Sequence, residues 1–455
     1  MPVLQKGLKR MLSRRRFVHH SAIGAAILAS PLATPLLHAA AQHPAQPLRF
    51  GINYTPRKHW WFCWLDWDQQ SIQEDLHAIA ALGMDHIRIQ LLWSLFQPGI
   101  ASVSERLLAN LHALLDAANR AGLDVEVTVL NGWMSGLSFL PAWVDPLARP
   151  ENGDDRNIFT SRPIIDAEKL LFRRIADTIG NHPRFLGFDI GNELGVLQAI
   201  NNPVTPAQAD AWAAEILAYC AQIAPGRFHV NGADHSHWFA DFGFTRAGLA
   251  STGSATVIHS YIYFDGVLDR FRYSDPAAIH LAEYEVELAA AYASDPARRV
   301  WVEETGIGNK EMPEAFKPQF MEQSVHAIAS TGQAWGITWW CSHDIDPAIK
   351  DFSDYEYGLG LLDLNNRPKP MGRQFAALAA EFRKNPPVPL DRPLALVIPD
   401  TGLTTKPWPS DWTFAAAWMK LLNDGHRPAI VLASRAQDQA YLQQRGIRQL
   451  VPIKP

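Results

Sequence analysis

Eight apolar stretches alternating with helical patterns between Leu48 and Phe382 predict a parallel (β/α)8 TIM barrel, followed by a small β-α-β-α-β extension. Two observations beyond the alternation support this. Eight is the strand number that closes such a barrel. Two of the stretches also end abruptly in polar pairs. Phe185, Leu186, Phe188 and Ile190 run into Asn192 and Glu193, and the run RVWVEETG carries Glu303 and Glu304. An apolar strand with a polar end is how a barrel delivers side chains to its C-terminal rim.

The first 41 residues read as an address rather than as fold. Ser13, Arg14, Arg15, Arg16, Phe17 and Val18 form a twin-arginine pattern. A weakly apolar stretch then runs from Ala22 to Leu37, and Ala39, Ala40 and Ala41 offer a small-residue cleavage site. The apolar stretch is short and contains Pro31 and Pro35, so a bacterial Tat signal cut after Ala41 is expected in place of a membrane anchor. The mature chain is then expected in the periplasm or outside the cell.

The barrel occupies residues 48–383. Strands are expected at 49–54, 84–90, 124–130, 184–190, 227–231, 256–261, 299–303 and 335–340. Helices are expected at 69–82, 104–121, 167–179, 206–222, 276–293, 314–331 and 371–382. In the second of these, Leu107, Leu111, Leu114, Leu115 and Ala118 recur at three- and four-residue spacing and define one buried face. Asp68, Ser104, Thr205 and Asp275 are candidate N-caps, the last two followed by proline at the first helical position. The fifth helix, after Asn231, is poorly marked, and that segment is instead rich in His, Trp and Phe. A proline-rich connector over 384–393 leads to residues 394–455, with strands at 394–398, 428–433 and 447–451 and helices at 411–422 and 437–444. The extension lacks a Gly-rich phosphate loop, so a structural or modulatory role is expected.

Composition narrows the function. The chain has 455 residues, 47% of them hydrophobic and 19% charged, enough for a large core with length to spare beyond one barrel. A net charge of −5 leaves no nucleic-acid footprint. Cys63, Cys220 and Cys341 are odd in number and widely spaced, which argues for reduced core thiols over a disulfide framework or a zinc cluster. The 16 Trp are far above ordinary usage, and indole faces pack on the apolar faces of sugar rings as well as in cores. A carbohydrate partner is therefore expected, with no metal and no cofactor.

Asn192-Glu193 on the fourth strand, Glu304-Thr305-Gly306 on the seventh, Arg88 on the second, His259 and Tyr261 on the sixth, and Trp340 at the end of the eighth stand in a telling order. In that order the chain resembles the clan A retaining glycoside hydrolases, and most closely glycoside hydrolase family 5, the cellulase and mannanase family. The resemblance covers residues 48–383. One departure is Leu194 after Asn-Glu, where the family often has proline, and this loosens a subfamily assignment. The resemblance implies a retaining β-glycosidase with Glu193 as acid/base and Glu304 as nucleophile. Glycoside cleavage needs one carboxyl that hands over a proton and one that stays ionised to attack the anomeric carbon. Arg88 would keep Glu304 anionic, Asn192 would bond the sugar 2-hydroxyl, Tyr261 would hold the nucleophile, and Trp340 would floor the sugar site. Strand alternation brings only one of Glu303 and Glu304 inward, and the resemblance selects Glu304. Of Trp339 and Trp340, one is expected behind the barrel.

Further groove residues are expected on the loops: His59, Trp60, Trp61, Trp64 and Trp67 in the first, Trp133 in the third, His235, His237 and Trp238 in the fifth, and His343 and Asp344 in the eighth. Long first, third and eighth loops would narrow the mouth to a pocket, favouring exo action on a short oligosaccharide; endo action on a β-glucan or β-mannan uses the same machinery. Two other classes compete. His235, His237, His259 and Asp344 could be ligands of a metal-dependent barrel hydrolase, although such enzymes usually pair their histidines on the first strand, where Asn53 and Tyr54 stand. A non-catalytic sugar-binding barrel would have lost one of the two carboxylates, and both are present.

Overall fold

The structure, a computed structural model, describes residues 47–144 and 156–453; the expected leader over 1–41 lies outside these residues. Seven parallel strands form the central sheet: β1 (Arg49–Asn53), β2 (His86–Gln90), β3 (Asp124–Thr128), β4 (Phe185–Asp189), β5 (Thr256–Ser260), β6 (Val300–Thr305) and β7 (Ala334–Trp339). They are hydrogen-bonded in the order β4-β3-β2-β1-β7-β6-β5, so β1 pairs with both β2 and β7. Successive β/α units that curl back on themselves give this order. Inside the barrel, His86 fills the space beside Gly51, where a Cβ would lie 2.1 Å from the imidazole Nε2.

The fifth barrel position departs from expectation. Residues 227–231 contribute a single bridge, Val230 to Asp189, in place of a full strand. The Phe228 and Val230 N–H groups donate to the Leu186 and Phe188 carbonyls of β4 at 2.8 and 2.9 Å. Side chains take several of the remaining ladder bonds: the Phe188 N–H goes to His229 Nδ1, and the His229 N–H goes to the Ser254 hydroxyl. A polar segment thus fills the gap between β4 and β5.

The surrounding helices begin where the capping chemistry sets them. Asp68, Ser104 and Thr205 accept from the N–H groups of Ser71, Leu107 and Gln208 and start Gln69–Ala81, Glu105–Ala121 and Pro206–Ile223. Asp275 caps nothing and accepts from the Arg272 N–H instead. The helix expected over 276–293 breaks at His280, whose Nδ1 bonds Glu283 at 2.6 Å, leaving Pro276–Ile279 and Leu281–Tyr292. Lys317–Ala329 and Pro370–Lys384 complete the layer over β6, β7 and β1. Cys63, Cys220 and Cys341 are buried free thiols.

Past residue 393, β8 (Leu394–Ile398), β9 (Ala429–Leu432) and β10 (Gln449–Pro452) form a parallel sheet in the order β9-β8-β10, with helices Thr413–Asn423 and Gln439–Gln444. Helix Leu281–Tyr292 is covered by the barrel on one side and by this unit on the other, and all but its last residue are buried. It nonetheless carries three glutamates. Glu283 pairs with Arg392 and Arg427 at 2.6 Å each, and Glu287 pairs with Arg445 at 3.0 Å. No helix among the described residues is long and apolar enough to cross a membrane.

Candidate active site

The ends of β2, β4, β5 and β6 converge on one buried polar network. Arg88, on β2, is at its centre and fully buried. Its Nη1 lies 2.5 Å from Glu304 and 3.1 Å from Asn53 Oδ1, and its Nη2 lies 2.6 Å from Asp189 and 2.9 Å from Asn192 Oδ1. Burial works against the guanidinium charge, but the carboxylates of Glu303, Asp189 and Glu304 outweigh it, so Arg88 stays a cation. Asp189 is anchored in turn by the Thr128 hydroxyl at 2.8 Å and by the N–H groups of Gly191 and Gly232 at 3.1 and 2.8 Å.

Glu193 leaves β4 through a left-handed backbone, φ 49° and ψ 43°, and its N–H donates to the Gly232 carbonyl at 2.8 Å. For a residue with a Cβ that conformation costs roughly 1 kcal/mol or more. It turns the chain from strand into the short helix Leu194–Ile200 at Glu193 itself. Gly195 has to be glycine, since a Cβ there would sit 2.1 Å from Asp234 Oδ2 and 2.3 Å from His237 Nε2. The Glu193 side chain is 21% exposed, against 5% for Glu304 and 0% for Glu303. Of the three it is the one open to solvent protons.

His259, on β5, joins all three carboxyls. Its Nδ1 lies 3.0 Å from Glu193 and 3.6 Å from Glu304, and its Nε2 lies 3.0 Å from Glu303. Burial disfavours the imidazolium, but the surrounding carboxylates push it well above the usual histidine range. Glu303 corrects the expectation from alternation, because both Glu303 and Glu304 turn inward. The ladder register of β6 slips against both neighbours at this point, and such a bulge puts successive side chains on one side. Glu304 accepts from the Tyr261 phenol at 2.9 Å. Burial raises the Glu304 carboxyl, and the His259 and Arg88 cations hold that rise back. Burial carries Glu303 up to about 7 against the pull of Arg88. Burial and the Glu304 charge keep Tyr261 a phenol.

Around this network, Asn192 donates to the Trp133 carbonyl at 2.8 Å, which ties it to the short hairpin Trp133–Met134 and Leu137–Ser138. The Trp133 ring is half-buried. Trp340 packs on Trp61, 5.5 Å between ring centroids, and lies beside Gly306, where a Cβ would be 2.6 Å from the Trp340 carbonyl and 3.3 Å from the Tyr261 ring. A glycine two residues after Glu304 is what lets Trp340 and Tyr261 close in. Trp339 points the other way and packs on Phe375 of the outer helix Pro370–Lys384, so it is not a site residue. His235 stands apart from the carboxyls, stacked on Phe264, and its Nε2 has no partner among the described residues.

Several loop expectations are corrected. Trp60, Trp61 and Trp64 are buried, and Trp60 packs against Phe139 and Phe352, knitting the first, third and eighth loops into one aromatic cluster. His343 is buried against Thr55 and Asn366, and Asp344 accepts from Lys369 at 2.8 Å; both hold the eighth loop together. His237 faces Asp234 at 3.4 Å, so His235, His237, His259 and Asp344 do not form a ligand set. Ligand atoms of Glu193, His259 and Glu304 do lie within 4.8 Å of one another. An imidazolium at His259 and the Arg88 cation on Glu304 make that a poor seat for a metal ion. Asp189 and Glu356 were not foreseen. Glu356 is a buried carboxyl of the eighth loop bonded to the Ser135 hydroxyl at 3.1 Å, and burial, with Glu193 and Glu304 near it, lifts it to about 7. Asp189 lies inside the FDIGNE run and was legible as a polar residue at a strand end; nothing in the sequence brings Glu356 to the mouth.

Among known structures, the chain is similar to a GH5_18 enzyme of Streptomyces cattleya solved as a Glu-to-Ala variant with Manβ1-4GlcNAc: 36% identity over 89% of this chain and 98% of that one, TM-score 0.83. The same bacterium's GH5_18 enzyme with GlcNAc gives 37% identity over 90% and 99%, TM-score 0.83. A GH5_18 enzyme of Bifidobacterium longum subsp. longum, also a Glu-to-Ala variant with Manβ1-4GlcNAc, gives 32% identity over 90% and 96%, TM-score 0.82. No protein-family model and no curated protein matches the chain. The likeness to these enzymes spans nearly their whole length and includes the barrel that carries the polar network, so this chain belongs to glycoside hydrolase family 5, subfamily 18, and is a glycoside hydrolase acting on β-linked sugars.

Proposed function

We propose that the enzyme is a retaining exo-β-mannosidase that releases the terminal mannose of Manβ1-4GlcNAc-type glycans by double displacement. The observation that carries the mechanism is the approach of the Glu193 and Glu304 carboxyls, whose nearest oxygens lie within 4.8 Å. Retaining enzymes keep their carboxyls roughly 5 to 5.5 Å apart, whereas inverting ones leave room for a water between them. In the first step Glu304 attacks the anomeric carbon while Glu193 gives its proton to the departing glycosidic oxygen, leaving a glycosyl ester on Glu304. In the second, Glu193 takes a proton from water, which attacks the same carbon and frees Glu304. Arg88 and Tyr261 hold the nucleophile in place, His259 spreads positive charge over both carboxyls, and Asn192, already fixed by Arg88 and Trp133, is preset for the 2-hydroxyl. The mannose assignment comes from the sugar bound in the related enzymes. Exo action is supported by the Trp60, Phe139 and Phe352 cluster, which draws three loops over the mouth.

In this reading residues 1–41 are a Tat leader that sends the folded enzyme to the periplasm or beyond, and 394–455 are a structural extension. The test is turnover of aryl β-mannoside, glucoside, galactoside and xyloside, and of Manβ1-4GlcNAc, by the mature protein and by Glu193→Gln and Glu304→Gln. Release of mannose with retained configuration, lost on the order of a thousandfold or more in both variants, is expected. No turnover of any β-mannoside, or undiminished turnover in either variant, sinks it. A mature N-terminus elsewhere than just after Ala41 in the exported protein would remove the leader assignment.

A further inference from the structure

We propose that Trp412, in the C-terminal unit, is a positioning residue for the nucleophile, acting through Asp265 and Tyr261. This rests on the reading of Glu304 as the nucleophile. Trp412 is buried, and its indole N–H donates to the main-chain carbonyl of Asp265 at 2.8 Å. The Asp265 carboxyl accepts the Tyr261 N–H at 2.9 Å, and the Asp265 N–H returns to the Tyr261 carbonyl at 3.0 Å. The Tyr261 phenol donates to Glu304 at 2.9 Å. Hydrogen bonds, joined through the covalent frames of Asp265 and Tyr261, therefore link the C-terminal unit to the nucleophilic carboxylate.

The indole is itself held in place. The rings of Phe271 and Phe239 lie 5.6 and 6.1 Å from it, and the Arg270 guanidinium sits 5.3 Å over its face. The chain before it is fastened to the fifth barrel loop. The Asp241 carboxylate accepts the N–H groups of Gly402 and Leu403, the Asp241 N–H donates to Thr404, and the Asp411 N–H donates to Phe239. The turn over residues 261–265 follows directly from β5, and its Tyr263 and Phe264 are exposed beside the mouth. Tyr263 and Phe264 pack on each other and on Tyr355, and the indole N–H of Trp412 adds a bond to the turn's main chain from the C-terminal unit. Without the indole N–H the buried Asp265 carbonyl loses a donor, the turn relaxes, and the phenol drifts from Glu304.

The test is a double-mutant cycle of Trp412→Phe and Tyr261→Phe on an aryl β-mannoside. Since a misplacement of 1 Å near the chemistry can cost on the order of a hundredfold, a loss of roughly tenfold in kcat is expected for Trp412→Phe, with KM within about twofold. The double variant is expected to be no slower than Tyr261→Phe alone, because both substitutions break one chain of contacts. Unchanged kcat in Trp412→Phe, a lowered Tm with kcat intact below the melt, or additive losses in the double variant would overturn the proposal. Should Trp412→Phe not fold, Asp411→Ala takes its place: it removes the carboxylate that accepts the Thr404 and Thr413 N–H groups at 2.8 and 2.9 Å and so frees the turn that carries the indole while keeping the ring; the same kcat-only loss is expected, and wild-type kcat overturns the proposal. Absence of turnover in the wild type strikes the functional reading instead, so the two failures are distinct.

Discussion

At His259 one imidazole faces Glu193, Glu303 and Glu304, so its charge bears on both carboxyls of the proposed double displacement. His259→Gln keeps a hydrogen-bonding side chain and removes the cation. A carboxylate that loses a neighbouring cation is harder to ionise, so the acidic limb of the kcat/KM profile is expected to move to higher pH by about a unit or more. An unmoved limb would mean that Arg88 alone keeps Glu304 ionised. Glu356 gives a prediction for stability. Its carboxyl rises from 4.5 to about 7 in the fold, so between those values the native state holds a proton that the unfolded chain releases. Stability contributed by this group is therefore complete at low pH and is lost as pH climbs through 7, by on the order of 3 kcal/mol. Urea unfolding at pH 5 and pH 8.5 is expected to show a smaller pH-dependent loss in Glu356→Gln than in wild type; equal losses in both would rule this out. Glu356 was illegible in the sequence because its role depends on where the eighth loop folds back onto Ser135, a long-range contact with no local signature. The two tryptophans at the end of β7 were readable as a pair but not apart, because either register of the strand is compatible with WW.

The β/α elements were legible wherever local chemistry decides them. The capped helices beginning at Gln69, Glu105 and Pro206 start at the expected residues or within one of them, since Asp68, Ser104 and Thr205 satisfy N–H groups that every helix start leaves open. The element least like its sequence is the segment 227–231, where His229 and Ser254 side chains take bonds that a strand would make through backbone. The bulge on β6 was also hidden, because strict alternation is the default that a bulge breaks. Its consequence, two inward carboxyls, could not be read from Glu303-Glu304 alone. Helix Leu194–Ile200 sets the height of Glu193, and its approach to Asp234 and His237 depends on the missing side chain of Gly195. Gly195→Ala is expected to push the helix start outward and lower kcat by roughly a hundredfold, the scale of a 1 Å displacement, with a fall in Tm. Gly122→Ala is the control. Gly122 ends Glu105–Ala121 with φ 79° and has no atom near the site of a Cβ, so a loss of about 1 kcal/mol with kcat unchanged is expected. Equal effects of the two on kcat would mean that the helix start does not set the position of Glu193.

At the scale of the molecule, the question is whether residues beyond 393 melt with the barrel. A proline-rich connector suggests a hinge between separable parts, yet the contacts point to one cooperative unit. Helix Leu281–Tyr292 serves both sides. Its apolar residues are covered all round, and Glu283 reaches Arg392 and Arg427 while Glu287 reaches Arg445 and Arg392. None of this is visible in the run LAEYEVELAAAY, where glutamates at helical spacing read equally well as a solvated face. Buried ion pairs add little when intact compared with an apolar contact, but removing one partner strands the other charge. Arg392 is 5% exposed, and without Glu283 its guanidinium keeps one carboxylate, Glu287 at 3.2 Å, and the Ser330 hydroxyl at 3.0 Å. Glu283→Ala is therefore expected to lower stability by roughly 3 kcal/mol, the scale of a broken buried pair. Because the pairs bridge the two parts, the loss is expected in a single transition. Urea unfolding followed by tryptophan fluorescence, which comes from 13 residues before position 393 and from Trp408, Trp412 and Trp418 after it, and, separately, by loss of turnover checks this. Coincident curves shifted together to lower urea are the expected result. An early loss of turnover together with a minor first step in fluorescence, the main fluorescence midpoint staying in place, would mean that the C-terminal unit opens on its own while the barrel stays folded.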